Sequence, residues 1–195
     1  MVAVLFARKD SVYKTFPDCD VFDVDRNALN YSGGRPIVAH PPCRAWGQLA
    51  HMANPRPGER ELALWAVDMV RLYGGVLEHP RASRLWKEKP LPKVGDIDAW
   101  GGFTLKVNQF DWGHKAEKAT NLYICGCVPN DVPELPQRTG RPTHVIASSS
   151  ARQHRGHPCF RPEVTRRERE ATPPAFAEWL VELAGLCRAP IEDLC

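Results

Sequence analysis

Four short apolar runs open the chain, at residues 2–6, 20–24, 36–40 and 75–79, each bounded by proline, glycine or charge. Runs of that length with such borders predict buried β-strands. Between the last two, Glu59 to Tyr73 sets Leu62, Trp65, Ala66, Met69 and Leu72 or Tyr73 at helical spacing, and Gly74 supplies a C-terminal stop. A crossover helix between two short strands is what a parallel βαβ unit requires. The pattern predicts an α/β, Rossmann-like fold: a mostly parallel sheet flanked by helices, in a single domain over residues 1–195. Residues 103–110 and 120–126 read as an antiparallel addition, and 143–147 as a last strand. Near the end, Thr172 is predicted as an N-cap with Pro173 at the first helical position. Phe176, Trp179, Leu180 and Leu183 then form an apolar face to about Cys187. The linkers 41–58 and 80–102 are long and rich in Pro, Gly and Trp, which in a compact domain suggests lids over a substrate.

Composition changes this picture little. With 195 residues, 43% of them hydrophobic, the chain can bury one substantial core. No apolar run approaches the roughly 18 residues that span a bilayer, and Met1 to Ala7 lacks the features of a signal peptide. A soluble, cytoplasmic protein without a membrane partner is expected. Seven cysteines, at positions 19, 43, 125, 127, 159, 187 and 195, are odd in number and form no disulfide framework. Reduced thiols are expected. Cys125 and Cys127 with His154, His157 and Cys159 offer soft ligands, but their spacing matches no usual zinc pattern, and no metal is expected.

Charge changes it more. The chain carries +3 overall, yet between Arg138 and Arg169 eight arginines face two acids. Such a stretch suits either the phosphates of a nucleic acid or a solvated loop.

The chemistry concentrates at two strand ends. In Val38-Ala39-His40-Pro41-Pro42-Cys43-Arg44-Ala45-Trp46-Gly47 a strand runs into two prolines, which cannot extend a ladder, and then a thiol. A cysteine on a stiff turn at a strand's carboxyl end faces the crevice where open α/β sheets bind ligands, and thiols need little activation as nucleophiles. The plainer alternative is a buried structural cysteine. Gly75-Val76-Leu77-Glu78-His79-Pro80 ends another strand in an acid and a proline.

Together these two strand ends resemble the catalytic pair of the cytosine-5 DNA methyltransferases, in which a Pro-Pro-Cys loop supplies the nucleophile and a Glu-Asn-Val-like strand end the acid. Here His79 replaces the Asn. The segment from Gln109 to Ile124 is similar to one that short, phage-type members carry after the acid strand, and Lys118 aligns with its basic residue. Thr172 to Leu180 is similar to their closing helix beside the cofactor site. The likeness spans most of the chain in the expected order. Two departures stand out: the first strand leads into Val4-Leu5-Phe6-Ala7-Arg8-Lys9-Asp10-Ser11 with none of the family's loop glycines, and only residues 128–171, a basic, loop-rich insertion, stand in place of a large target-recognition domain.

What the resemblance implies is a covalent adduct of Cys43 at C6 of cytosine in DNA, with modification at C5. Glu78 would act as an acid, its pKa raised by burial, and Lys118 as a basic group near the ring. The methyl donor would be S-adenosylmethionine, bound near Phe6, Pro41 and an acid of the second strand. Asp23 or Asp25 would serve the ribose, or else a cap or loop. Arg44, His79, His114, Lys115, Arg152 and Arg155 fall on the substrate or nucleic-acid side. Arg44 would either lower the thiol pKa or contact phosphate. Lys115 and Lys118 would lie either by the ring or in solvent. A flipped or single-stranded base is required, since a stacked duplex hides C6. Of Trp46, Trp86, Trp100 and Trp112, at most one is expected to stack on that base. Two other functions fit the same residues: modification of a free pyrimidine nucleotide with another one-carbon donor, and non-catalytic DNA binding on a decayed methyltransferase scaffold.

Overall fold

In the computed structural model, which describes residues 1–47, 50–147 and 155–189, six strands form one mixed sheet. These are β1 (Val2–Leu5), β2 (Cys19–Phe22), β3 (Ile37–Ala39), β4 (Gly75–Pro80), β5 (Phe103–Asn108) and β6 (Ala119–Cys125), in the order β2-β1-β3-β4-β6-β5. β1 pairs in parallel with β2 and β3, and β3 with β4, whereas β6 runs antiparallel to both β4 and β5. The predicted strands and the antiparallel addition are therefore present within a residue or two, β5 ending at Asn108 in a 3-10 turn over Gln109–Trp112.

Alternation along the buried strands sorts side chains onto two faces. Val2, Val4, Val38, Val76, Leu122 and Ile124 pack with Phe176, Leu180 and Leu183 of α4 (Pro174–Leu186). Ala3, Leu5, Ile37, Ala39, Leu77 and Tyr123 pack with α1 (Glu59–Tyr73). By the same alternation Glu78 projects on the α4 face and His79 on the α1 face. α1 has the predicted ends and part of the predicted stripe, since Ala66 is buried and Trp65, Met69 and Tyr73 pack at the edge of the core. Its buried apolar residues are Ala63, Ala66, Val67 and Val70, while Leu62, Trp65 and Met69 are half-buried and Leu72 is exposed. Small and β-branched side chains let the helix lie close on the sheet, and the larger ones flank the contact. α4 begins one residue later than predicted, with Pro173 as the N-cap.

Gly75 shows how tightly β3 and β4 are apposed. Its φ is +128°, and a Cβ there would sit 2.1 Å from the Ile37 carbonyl oxygen. The expected strand at 143–147 is instead two isolated bridges, Ala116 to His144 and Val145 to Glu163. Pro142 and Pro162, which flank the bridges, lack the N–H groups that a longer ladder would use. Two short helices complete the elements, α2 (Leu85–Glu88) and α3 (Arg166–Glu170), the latter opened by a capping box between Thr165 and Glu168. No helix among the described residues is long and apolar enough to cross a membrane.

From β1 the chain moves outward to β2, then crosses back to the other side of β1 to form β3. The carboxyl ends of β1 and β3 thus flank a topological switch point, where open α/β sheets leave a ligand-binding crevice.

Candidate active site

Beyond β3 the chain reaches that crevice at His40, whose backbone N–H donates to the Leu5 carbonyl at 3.0 Å. Pro41 is buried, and Cys43 is exposed at the start of a 3-10 turn over Arg44–Trp46. Glu78 lies at the end of the neighbouring strand, with 12% of its side chain exposed. Cys43, Glu78 and Lys118 are mutually within electrostatic reach. The three residues expected to act together are therefore gathered at one end of the sheet.

Their charge states differ from expectation. Burial pushes the Glu78 carboxyl upward, but the hydrogen bond from His40 and the charge of Lys118 more than offset it, leaving a pKa of about 2. Glu78 is a carboxylate at neutral pH, not the protonated acid expected of a buried strand end. Although Cys43 as a residue is exposed, the protein around its sulfur desolvates the thiol and raises its pKa, Glu78 raises it further and Lys118 draws it back down. Lys118 is itself lowered by burial, against the opposing pull of Glu78 and Cys43, and its Nζ donates to the Ala171 carbonyl at 3.1 Å. It is a half-buried group of the site, not a solvated surface lysine.

Three further side chains complete the site. His40 Nδ1 lies 3.2 Å from Glu78 Oε2, and His40 Nε2 lies 2.9 Å from the hydroxyl of the fully buried Tyr13. Gln109 Nε2 donates to Glu78 Oε1 and to Thr120 Oγ1, both at 3.1 Å. None was anticipated. The available signal for His40 was its phase: two residues beyond Val38, it falls on the same sheet face as Glu78.

Several expected contacts lie elsewhere. Arg44 does not act on the thiol or stand free for phosphate, because its Nε and Nη2 both donate to Glu59 Oε1, at 2.9 and 2.5 Å. His79 is 0% exposed on the α1 face and cannot touch a nucleic acid. It lies near the Pro42 carbonyl without hydrogen-bonding geometry, and neither ring nitrogen meets a partner among the described residues. His114 is buried and holds backbone, its ring nitrogens 2.8 Å from the Ala116 carbonyl and 3.2 Å from that of Glu168. Lys115 is exposed and paired with Glu168. Arg155 is exposed, and Arg152 falls outside the described residues. Among the tryptophans, Trp46 is in the core and Trp112 packs on Phe176 and Trp179. Trp86 donates to the Pro80 carbonyl. Trp100 is exposed under Arg71, but at the opposite end of the sheet, where Cys125 donates to its carbonyl. Among the described residues no His, Cys, Asp and Glu cluster could hold a metal.

The carboxyl ends of β1 and β2 do not fit S-adenosylmethionine. The chain turns at Phe6 through φ = +62°, with a side chain edge-on to Trp65 where a glycine would let a ligand approach. Arg8 is paired with Asp10 and with Glu170 of α3, and Arg167 also reaches Asp10. Asp23 accepts from Lys14 Nζ at 2.5 Å and from the amides of Asp25 and Arg26, which holds its carboxyl down at about 2. Its role is to cap its own turn. Asp25 is an exposed partner of Lys9. A hollow of about 370 Å³ beside β2, lined by Asp20, Arg26, Tyr31 and Arg35 among others, contains none of the residues gathered around Cys43.

Comparison with family models, with curated proteins and with solved structures finds no match to this chain.

Proposed function

We propose that this protein acts on pyrimidines, cytosine in DNA by preference, through covalent addition of Cys43 to ring carbon C6. The observation that carries the reading is the convergence of Cys43, Glu78 and Lys118 at the carboxyl ends of two adjacent strands beside the switch point. C5 of a pyrimidine is a poor nucleophile until something adds at C6. In the proposed step the thiol's sulfur bonds to C6. The C5=C6 pair shifts to C4–C5, the C4=N3 pair moves onto N3, and N3 takes the proton the thiol gave up.

The charged groups of the site fit that balance. Lys118 stabilises the sulfur as it loses its proton. The Glu78 carboxylate accepts from the exocyclic amine and steadies the newly protonated N3. Reversal after a solvent proton has added at C5 and the original C5 hydrogen has left returns an intact base with its C5 hydrogen exchanged. That cycle needs no donor. Exposed Arg141, Arg155 and Arg169 supply charge suited to a phosphate backbone.

The test is exchange of the C5 hydrogen with solvent deuterium, and adduct formation with 5-fluorocytosine, using single-stranded DNA and the mononucleotide side by side. Wild type should exchange and trap with DNA, with a rate that falls steeply as salt rises. Cys43→Ser should lower both by at least ~10³-fold, as expected when a nucleophile is removed. Trapping on the mononucleotide alone identifies a nucleotide enzyme. DNA binding that is equal in wild type and mutant, with no exchange and no adduct in either, identifies a binding module and defeats the proposal.

A further inference from the structure

We propose that His40 is a positioning residue of this site: held by Tyr13, it donates from Nδ1 to Glu78 and keeps that carboxylate ionised and aimed at the amine and N3 edge of the pyrimidine. The orientation of substrate rests on the reading above, but the hold on Glu78 does not.

With His40 as a neutral imidazole the hydrogen-bond chain runs in one direction. Tyr13 is completely buried, which pushes its phenol well above the ordinary value, and Glu78 pushes it further, so the phenol keeps its proton. In the proposed arrangement its hydroxyl donates to His40 Nε2, 2.9 Å away. Nε2 is then the acceptor of the neutral imidazole and Nδ1 carries the hydrogen. That hydrogen points at Glu78 Oε2, 3.2 Å away, and an ionised carboxylate can only accept. Gln109 donates to the other oxygen at 3.1 Å. With one protein donor on each oxygen the carboxylate is fixed in orientation, and each oxygen retains acceptor capacity for a substrate.

The groups that face Glu78 explain why this donor matters. Burial opposes the charge. His40 from the end of β3, Lys118 before β6 and His79 beside it on β4 all favour it. Cys43 and Tyr13 are both raised by the carboxylate. Glu170 of α3 acts on Cys43 and Lys118. The His40 bond is the largest of the effects that hold the charge, so its loss leaves burial less opposed and Glu78 should take up a proton more readily.

The experiment follows the Glu78 carboxyl by ¹³C NMR across pH in wild type, His40→Leu, His40→Asn and Tyr13→Phe, together with the pH profile of C5 hydrogen exchange. His40→Leu should raise the Glu78 titration by about one unit or more. It should move the acidic limb of the exchange profile upward with it. His40→Asn, whose amide can place an N–H near the site of Nδ1, should retain the wild-type titration, and Tyr13→Phe should give a smaller upward shift. A Glu78 titration unchanged in His40→Leu, or equally raised in the Leu and Asn variants, overturns the proposal and leaves His40 as packing. If wild type neither exchanges nor traps a pyrimidine, the reading of the substrate fails on its own, while the carboxyl titration still decides the role of His40.

Discussion

The carboxyl ends of β1 and β2 and those of β3 and β4 belong to one sheet, yet their charged groups are used in opposite ways. At β1 and β2 the charged side chains named above close on one another: Asp23 on Lys14 and its own turn, Asp25 on Lys9, and Arg8 on Asp10 and Glu170. At β3 and β4 a thiol, a carboxylate and a half-buried lysine are brought together without neutralising one another directly, and Glu78 is held from behind by His40 and Gln109. The first arrangement stabilises a loop. The second costs stability through burial of charge, which is the usual mark of a site kept for chemistry.

The largest expected effect separates the two ends directly. Glu78→Gln should lower C5 hydrogen exchange by roughly 10²–10³-fold, the range for loss of a preorganised group that stabilises charge in the transition state. Asp23→Asn should leave exchange within about threefold, less than 1 kcal/mol of barrier. Its cost should appear instead as a lower melting temperature at neutral pH. A rate loss in Asp23→Asn as large as that in Glu78→Gln would erase the contrast and return the second strand end to a role in ligand binding.

A second effect, on stability, belongs to the back of the β3 and β4 end. Burial is the main force on His79 and lowers its pKa to about 4, against the raising influence of Glu78. A histidine lowered on folding binds more protons when unfolded, so its contribution is complete above the unfolded value near 6.5 and is lost as pH falls through 4. The difference corresponds to something on the order of 3 kcal/mol. The carboxyls held near 2 (Asp23, Glu78 and Glu168) titrate below that window. Denaturant unfolding between pH 7 and pH 4.5 should therefore lose stability in wild type and stay nearly flat in His79→Leu. Equal slopes in the two proteins would remove His79 as the cause.

How much of this was legible in the sequence follows from the range of the interactions involved. Strands and α1 were readable because their signals are local: apolar runs with hard borders, and Gly74 closing a helix that ends at Tyr73. The buried stripe of α1 was readable only in part: Ala66, Trp65, Met69 and Tyr73 do meet the core, but the large side chains draw the eye while the sheet also selects Ala63, Val67 and Val70. Cys43 and Glu78 were legible as strand ends with a thiol and an acid. The charge of Glu78 was not, since it depends on His40, Gln109 and Lys118, which reach it from three other segments. Asp23 shows the same limit from the other side: the acid sits where a ribose partner is expected, and its contacts to Lys14 and to the amides of its own turn come from residues whose reach the sequence does not display.

The smallest expected effect tests the electrostatics of the thiol itself. Two cations are candidates to act on Cys43, its neighbour Arg44 and the distant Lys118. Proximity in sequence favours Arg44, but its guanidinium is committed to Glu59 Oε1 through two donors, and Glu59 is 4% exposed at the first turn of α1. Lys118 is the cation that lowers the thiol. The pH dependence of Cys43 alkylation, followed by mass spectrometry of its peptide, should shift upward by about one unit in Lys118→Met and by less than about 0.3 unit in Arg44→Met. Arg44→Met should instead lose stability, because it leaves Glu59 buried without its partner. The reverse order of shifts would mean that the charge on the nucleophile is set by its own loop, and that Lys118 is held in place by Ala171 for a structural purpose alone.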